Sequence, residues 1–347
     1  MNNSEYRTAA SIAVVIPSYK VAGSILDVIG GIGPEVRSIY VVDDKCPEQS
    51  GKRAEGGSTD PRVQVLYNEE NMGVGGATMA GLSQALKDGA TVIVKIDGDG
   101  QMDPAYIPYF CSPILAGEAD FTKGNRFFEP ESVAAMPRGR LFGNMGLSFL
   151  AKLSSGYWTV MDPTNGYIAI HGSVAALLRP QKVAKRFFFE SDLLFHLNLL
   201  GARVVGIPMD AAYGDEESNL NPIREIPRFA GGHLRNTFKR IIYSYFIRDF
   251  SLASLELVFG AAFLLFGIVF GALNWSGGTL ASAGTVMLAA LPVIVGVQLL
   301  LSFLNFDVNA TPSTTLHPRL MRTAIPSRTL RRVAAPEPAD DKVEAER

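Results

Sequence analysis

The sequence predicts an α/β domain with a mainly parallel sheet, followed by an amphipathic stretch and a two-helix membrane hairpin. Three observations predict it. Four short apolar, β-rich runs at residues 12–16, 39–42, 63–66 and 92–96 alternate with helical or loop segments such as 24–29 and 75–87, the pattern of a sheet covered on both faces. Between Phe250 and Phe306 the only charged side chain is Glu256. Just before that, Leu234, Phe238, Ile241, Ile242 and Tyr245 recur at helical spacing on one face, with Arg235, Lys239 and Arg240 beside or opposite them.

In a parallel sheet, ligands bind beyond the carboxyl ends of the strands, so the residues just after each strand carry the functional signal. The first strand leads into Pro17-Ser18-Tyr19-Lys20 and the second into Asp43-Asp44. The third leads into Asn68, Asn71 and Gly73-Val74-Gly75-Gly76-Ala77, the fourth into Asp97-Gly98-Asp99-Gly100-Gln101. Singly these are weak signals. The glycine run lacks the third Gly of a dinucleotide fingerprint, since Thr78 stands there. The acidic loop lacks the acidic twelfth position of a calcium loop, where Pro108 stands. Together they aim polar groups from four strands at one rim. Carboxylates two residues apart on a Gly-containing turn can hold a hard divalent cation, Mg²⁺ or Mn²⁺, that shares its shell with phosphate oxygens. Asp43 and Asp44 are placed to accept hydrogen bonds from a base or ribose. Lys123, Arg126, Arg138 and Arg140 add donors for a second phosphate.

The 347 residues carry 32 Lys and Arg against 34 Asp and Glu, a net charge of −2. That balance excludes a general nucleic-acid binder, which needs a basic excess. Two cysteines, Cys46 and Cys111, exclude a disulfide-stapled domain and a Cys-rich zinc site. The apolar run near the N-terminus is too short for a signal peptide, so the N-terminal part is expected in the cytosol. Apolar stretches at about 257–273 and 280–304 each approach the ~20 residues that cross a bilayer. Asn274-Trp275-Ser276-Gly277-Gly278 forms the turn between them. A pair of buried core helices is the bland alternative, but one charge in this stretch supplies no wetted face. Arg224, Arg228, Arg235, Lys239, Arg240 and Arg248 precede the hairpin, and Arg319, Arg322, Arg328, Arg331 and Arg332 come after it. The connecting loop is uncharged, so both ends are expected in the cytoplasm. The amphipathic stretch suits a helix lying in the membrane interface, with packing on the globular domain as the alternative. The expected division is an α/β domain over 1–222, juxtamembrane helices over 223–250, two membrane helices over 251–307 and a partly disordered cytoplasmic tail over 308–347.

These residues resemble the family 2 glycosyltransferases of GT-A (Rossmann-like) fold, and within them the polyprenyl-phosphate glycosyltransferases. The resemblance runs from Ile12 to about Asn221. It rests on Val15-Ile16-Pro17-Ser18-Tyr19, Val41-Val42-Asp43-Asp44, Asn71-x-Gly73-x-Gly75-Gly76-Ala77 with Gly81, and Asp97-Gly98-Asp99-Gly100-Gln101-x-Asp103-Pro104. Gly124-Asn125-Arg126, Pro137-x-x-Arg140-x-x-Gly143-Asn144, Asp162-Pro163-x-x-Gly166-Tyr167 and Glu190-Ser191-Asp192, with Gly201 and Pro208 behind them, complete the set. Two departures stand out: Lys20 where the family often has Asn, and Gly98 where mannose synthases carry Ala.

The resemblance implies a membrane enzyme with its catalytic domain on the cytoplasmic face of the inner membrane. It would move a sugar, with inversion, from a nucleotide sugar to undecaprenyl or dolichyl phosphate. It implies that Pro17, Tyr19, Asp43, Asp44, Asn71, Gly73, Asp97, Asp99 and Gln101 line the donor site. Asp99 would hold the metal, with Asp97 beside it on metal, sugar or ribose. Arg126 and Arg140 would clamp the acceptor phosphate, and Asp192 would act as base or acceptor-orienting group. The lipid bilayer is a partner, and a homo-oligomer fits the family. Bland readings stand beside these: Asp162 organises a turn, Glu190 caps a helix, His171, His196 and His233 are not ligands, and Phe187-Phe188-Phe189 is packing. A processive polysaccharide synthase would carry a Q-x-x-R-W motif, and no Arg-Trp pair occurs. A non-catalytic membrane scaffold would have no use for the intact acidic loop, Arg126 and Asp192.

Overall fold

The computed structural model describes residues 10–128, 138–209, 222–275 and 281–322. Seven strands, β1 (Ile12–Ser18), β2 (Val36–Asp43), β3 (Val63–Tyr67), β4 (Val92–Lys95), β5 (Phe121–Asn125), β6 (Ile168–His171) and β7 (Val204–Pro208), form one sheet in the order β3-β2-β1-β4-β6-β5-β7. β1 runs parallel to β2 and β4, and β2 parallel to β3. β6 runs antiparallel to both β4 and β5. Every residue of β1 is buried, as a strand flanked on both sides and covered on both faces requires. β3, at the sheet edge, is half-buried at Val63, Val65 and Leu66 and exposed at Gln64 and Tyr67. Helices α1 (Ile25–Gly30), α2 (Ser50–Gly57), α3 (Gly73–Lys87) and α4 (Ile107–Leu115) connect the strands. The four expected strands are all present, with ends moved by up to three residues.

The chain divides into two compact units. The sheet unit comprises residues 1–124, 166–187 and 314–347, the helical unit residues 125–165 and 188–313. This differs from the expected division at the C-terminus. Within the tail expected to be partly disordered over 308–347, residues 314–322 belong to the sheet unit and end in α11 (His317–Arg322), after a short α6 (Gly172–Ala175) earlier in that unit. The anchor is Asp120, fully buried, which accepts hydrogen bonds from Leu316 N at 2.7 Å and His317 N at 2.8 Å. The His317 ring contacts the same carboxylate at 2.7 Å and stacks on His171 with centroids 4.2 Å apart.

In the helical unit, α5 (Arg138–Ser155), α7 (Phe189–Leu200) and α8 (Pro222–Ile242) precede two long helices, α9 (Leu252–Trp275) and α10 (Ala283–Asn309). Both are long and apolar enough to cross a membrane. Residues 276–280 of the expected turn lie outside the described residues. The amphipathic stretch leaves exposed most of the apolar face that an interfacial helix would turn to a membrane, and departs from expectation at Arg240 and Tyr245, which are buried. Leu234, Phe238 and Ile242 are exposed, while His233, Asn236 and Arg240 are buried. Arg240 therefore does not lie among the solvated cations. It forms a two-pronged ion pair with Asp307 at the end of α10, at 2.6 and 2.9 Å. Tyr245 Oη and Trp158 Nε1 donate to the same carboxylate at 2.6 and 2.9 Å. Tyr245 sits in a π-helical turn, Tyr243–Arg248, and packs with Ala253 and Phe303. A buried charge is tolerated only when paired and hydrogen-bonded, and this pairing turns the polar side of α8 inward and leaves its apolar side outward.

Candidate active site

The carboxyl end of β1 buries Pro17 and Ser18, then presents Tyr19 at 45% exposure. The Lys20 ammonium lies 5.8 Å from the centre of the Tyr19 ring. At the end of β2, Asp43 and Asp44 are both buried. Asp43 accepts from Cys46 N and Gly51 N, each at 2.7 Å. Asp44 accepts from Asn68 Nδ2 and Met72 N at 2.8 Å and from Gly73 N at 2.7 Å, while Asn71 Nδ2 donates to its carbonyl at 3.2 Å. Asp43, Asp44, Asn71 and Gly73 thus hold one another and the start of α3. They shape the rim, and the carboxylate oxygens expected to face a nucleoside are already accepting from the protein.

Gly73 has a φ of +78°, and a side chain there would meet the Lys185 carbonyl at 2.6 Å. That same carbonyl accepts from Gly75 N and Gly76 N at 2.9 and 3.1 Å. The glycine run therefore receives a backbone segment, and its N–H groups are not an open cradle for phosphate.

The loop after β4 is different. Asp97 and Asp99 are only half-buried. Asp97 Oδ1 lies 2.6 Å from the ammonium of Lys95, a residue buried inside β4. Above this pair, a side chain on Gly166 would approach Lys95 Nζ to 2.4 Å and Asp97 Oδ2 to 2.6 Å, so only glycine fits. Asp99 Oδ1 accepts from Gln101 N at 3.0 Å, closing a turn in which Gly100 takes a φ of +82°. The Gly98 carbonyl is fixed by Ser24 Oγ at 2.7 Å. Two hard oxygen ligands on a tight, half-open turn suit Mg²⁺ or Mn²⁺. Among the described residues no three His, Cys, Asp or Glu side chains cluster as metal ligands. Such an ion would take the rest of its shell from phosphate and water, as Mg²⁺ does beside substrate phosphates. Lys95 compensates the charge of Asp97.

The arginines lie in the helical unit. The Arg126 guanidinium grips Asp162 through Nε at 2.6 Å and Nη2 at 2.8 Å, and Asn165 Nδ2 reaches the same carboxylate at 3.3 Å. Asp162 is buried, while Arg126 retains 27% side-chain exposure. Asp162 also has a φ of +56°, unusual for a side-chain-bearing residue. Its role exceeds organising a turn: it orients an arginine. Arg140 stands in the first turn of α5, but its side chain and that of Arg138 lie outside the described residues. Lys123 is buried within β5.

Asp192, in the first turn of α7, is 1% exposed. Asn236 Nδ2 donates to it at 2.7 Å, with His196 Nε2 at 3.6 Å and Arg235 at 3.9 Å. It fastens α7 to α8 rather than presenting an open oxygen. Glu190 shares that first turn. The remaining histidine of the sequence set, His233, packs on Ser154 Oγ at 2.7 Å. Of the phenylalanine run, Phe189 is in the core and Phe188 stacks edge-on against Phe229 and His233. Sequence reasoning missed Lys95 and the orienting role of Asp162. A lysine inside the apolar run Val92-Ile93-Val94-Lys95-Ile96 was the available signal, because a charge in a buried strand must find a partner.

Comparison with known proteins bears on this arrangement. Residues 13–177 match the model of the glycosyl transferase family 2. The chain is 30% identical over 202 residues to polyprenol monophosphomannose synthase of Mycolicibacterium smegmatis, covering 56% of this chain and 75% of that one. It is 29% identical over 216 residues to the UDP-N-acetylglucosamine–dolichyl-phosphate N-acetylglucosaminyltransferase of Methanococcus voltae, covering 58% and 86%. It is 27% identical over 202 residues to the undecaprenyl-phosphate mannosyltransferase of Micrococcus luteus, covering 57% and 82%. A solved structure of glucosyl-3-phosphoglycerate synthase from Mycobacterium tuberculosis, with Mn²⁺ and uridine diphosphate, superimposes with a TM-score of 0.52 at 19% identity, over 69% of this chain and 82% of that one. This likeness shows the GT-A fold. The chain belongs to glycosyl transferase family 2 and is a glycosyltransferase whose homologues act on polyprenyl phosphates.

Proposed function

We propose that this protein transfers a sugar from a nucleotide sugar to the phosphate of a polyprenyl phosphate, undecaprenyl or dolichyl, at the cytoplasmic face of the membrane. The observation that carries the reading is the half-open Asp97-Gly98-Asp99 turn, held from below by Lys95 and roofed by Gly166. The relatives' acceptors, named above, support the lipid phosphate.

The acceptor phosphate is ionised at neutral pH, so positioning and charge neutralisation outweigh base catalysis. One phosphate oxygen attacks the anomeric carbon, the bond to the nucleoside diphosphate breaks, and the configuration inverts. Arg126 binds the acceptor phosphate, and Arg140 adds a second cation. Asp162 is a positioning residue that fixes the Arg126 fork. Tyr19 offers a face for the base, and the Asp43, Asp44, Asn71 and Gly73 lattice sets the shape of that pocket. Asp97 orients the sugar or ribose, while Asp99, with Gln101 beside it, would hold Mg²⁺ or Mn²⁺. The ion would neutralise the departing diphosphate. Asp192 acts through α8, whose placement it secures.

In this reading α9 and α10 form a membrane hairpin with both ends cytoplasmic, and the enzyme is a multi-pass protein of the inner membrane. The exposed Leu234, Phe238 and Ile242 of α8 rest on the bilayer, with Arg235 and Lys239 toward the headgroups. The acceptor then stays embedded, and about 0.8 kcal/mol per CH₂ of extraction is avoided.

The test is a screen of UDP- and GDP-linked sugars against undecaprenyl phosphate in liposomes, reading the lipid-linked product. One donor should give a product sensitive to mild acid, as glycosyl phosphates are. Transfer only to a soluble or glycan acceptor would overturn the reading.

A further inference from the structure

The sheet unit carries a surface of a single charge sign. Its middle segment, residues 166–187, contains no Asp or Glu, and Arg179, Lys182, Lys185 and Arg186 crowd its last turn of chain. All four are exposed, and Phe187 beside them keeps 49% of its surface open. Among the described residues no carboxylate forms an ion pair with Arg179, Lys185 or Arg186. Exposed cations elsewhere on this unit are interleaved with acids, as Lys52 and Arg53 of α2 are between Glu48 and Glu55.

The backbone beneath these cations is fixed. Pro180–Lys182 forms a 3-10 turn, Lys182 N donates to the Arg179 carbonyl at 2.9 Å, and Val183 is buried. The Lys185 carbonyl closes the start of α3, accepting from Gly75 N and Gly76 N. Those N–H groups are spent on protein rather than on a phosphate, so what the segment turns outward is its long cationic side chains and one aromatic ring.

We infer that residues 179–187 are a docking surface for anionic lipid headgroups. A sheet of negative headgroups is met by like-charged side chains on an outward face rather than by a pocket. Lys and Arg reach headgroup phosphates on flexible apolar stems, and an aromatic neighbour enters the same layer. Each such cation adds about a fivefold gain in binding to a negatively charged leaflet. Phe187 beside the cations, and a net charge of −2 over the whole chain, favour a lipid surface over a nucleic acid. The contact differs in kind from that of α8, which offers apolar side chains and would serve on neutral lipid as well.

The full chain is reconstituted in phosphatidylcholine vesicles, with or without phosphatidylglycerol, whose headgroups carry a spin label. A fluorophore is placed on Gln181→Cys, the native Cys46 and Cys111 being buried. Quenching of the fluorophore reports the docked segment. The expected result is quenching that appears with phosphatidylglycerol and is relieved by high salt. Lys185→Gln/Arg186→Gln should lower the ratio of docked to undocked segment about thirtyfold, and Arg179→Gln about fivefold. Lys52→Gln/Arg53→Gln, which removes the same charge from α2, should leave that ratio unchanged. Nucleotide affinity in neutral detergent, by calorimetry, should not move in any variant, which also verifies their fold. Quenching that ignores phosphatidylglycerol, or that falls equally in the α2 variant, overturns the inference. A loss of nucleotide affinity in Lys185→Gln/Arg186→Gln overturns it too, since these cations would then hold the donor's phosphates. Binding of a labelled oligonucleotide in place of lipid quenching, lost in the same variant, would assign the surface to a nucleic acid instead.

Discussion

In the sheet unit Asp43, Asp44 and Asp120 accept chiefly from backbone N–H groups, whereas in the helical unit Asp162, Asp192 and Asp307 accept chiefly from side chains. The first group sculpts loops: each carboxylate holds a turn or a returning strand of chain in one shape. The second group fastens helices and holds cations at set positions. In the proposed function, backbone-held Asp43 and Asp44 give the donor rim its shape. Where helices must stay together and cations must be aimed, acids paired to Arg or Asn give orientation. Asp99 differs from both groups in being half-exposed, with its Oδ1 accepting from Gln101 N.

That exception gives the largest expected effect. Asp99→Ala should lower transfer at least about 100-fold, the scale of a lost electrostatic stabiliser, with the thermal midpoint unchanged. Wild type in excess chelator should behave alike. Full activity in either case would remove the metal from the mechanism.

Next comes the best-buried pair of the helical unit. Arg240→Ala or Asp307→Ala leaves one enclosed charge alone, a loss of about 3–5 kcal/mol, measured by denaturant unfolding in detergent. A combined Arg240→Met/Asp307→Leu variant should regain much of it. If the single changes cost no more than an exposed ion pair would, the pair is not a fastening.

A smaller effect separates positioning from binding. Arg126→Ala should cost roughly 1.5–3 kcal/mol, about ten- to a hundredfold in kcat/KM for the lipid. Asp162→Asn should lose part of this through KM for the lipid, and Asp162→Glu should restore some. Donor affinity by calorimetry should not move in any of the three. A change confined to donor affinity would place these residues on the other substrate.

The smallest effect is on acid stability. Burial, with the neighbouring His317 ring adding to it, pushes His171 down to about 4, against the opposing pull of Asp120, and burial alone pushes His233 to about 4. Each ring is neutral when folded and takes a proton more readily when unfolded. Their contribution is therefore whole above the unfolded value of about 6.5 and is lost as pH falls toward 4. The thermal midpoint should decline across that window, and His171→Phe or His233→Phe should each flatten the decline. A midpoint equally steep in both variants would assign the acid sensitivity elsewhere.

How far each unit was legible depends on how distant its partners are. The four strands, the acidic loop after β4 and the two long apolar helices were readable because their signals are local: alternating apolar runs, Gly-containing turns, and a long stretch holding Glu256 alone. Lys95 and Asp97 are two residues apart, yet only burial of the β4 strand makes them a pair. Asp192 was expected as base or acceptor-orienting group, and the sequence does not reveal that Asn236 donates to it from 44 residues away. The burial of Arg240 was not legible for the same reason, since apolar spacing alone does not say that Asp307, 67 residues away, will pair with it.

By itself the sequence determined the sheet-and-helix alternation, the family, the acidic turn and the two membrane-length helices, because periodicity and short motifs act within a few residues. Only the tertiary structure decided which carboxylates remain open and which are consumed. Asp162 meets Arg126 across 36 residues of chain, Asp192 meets Asn236 across 44, and Asp307 meets Arg240 across 67. The cost of burying an unpaired charge selects these partners during folding, and no local pattern encodes them.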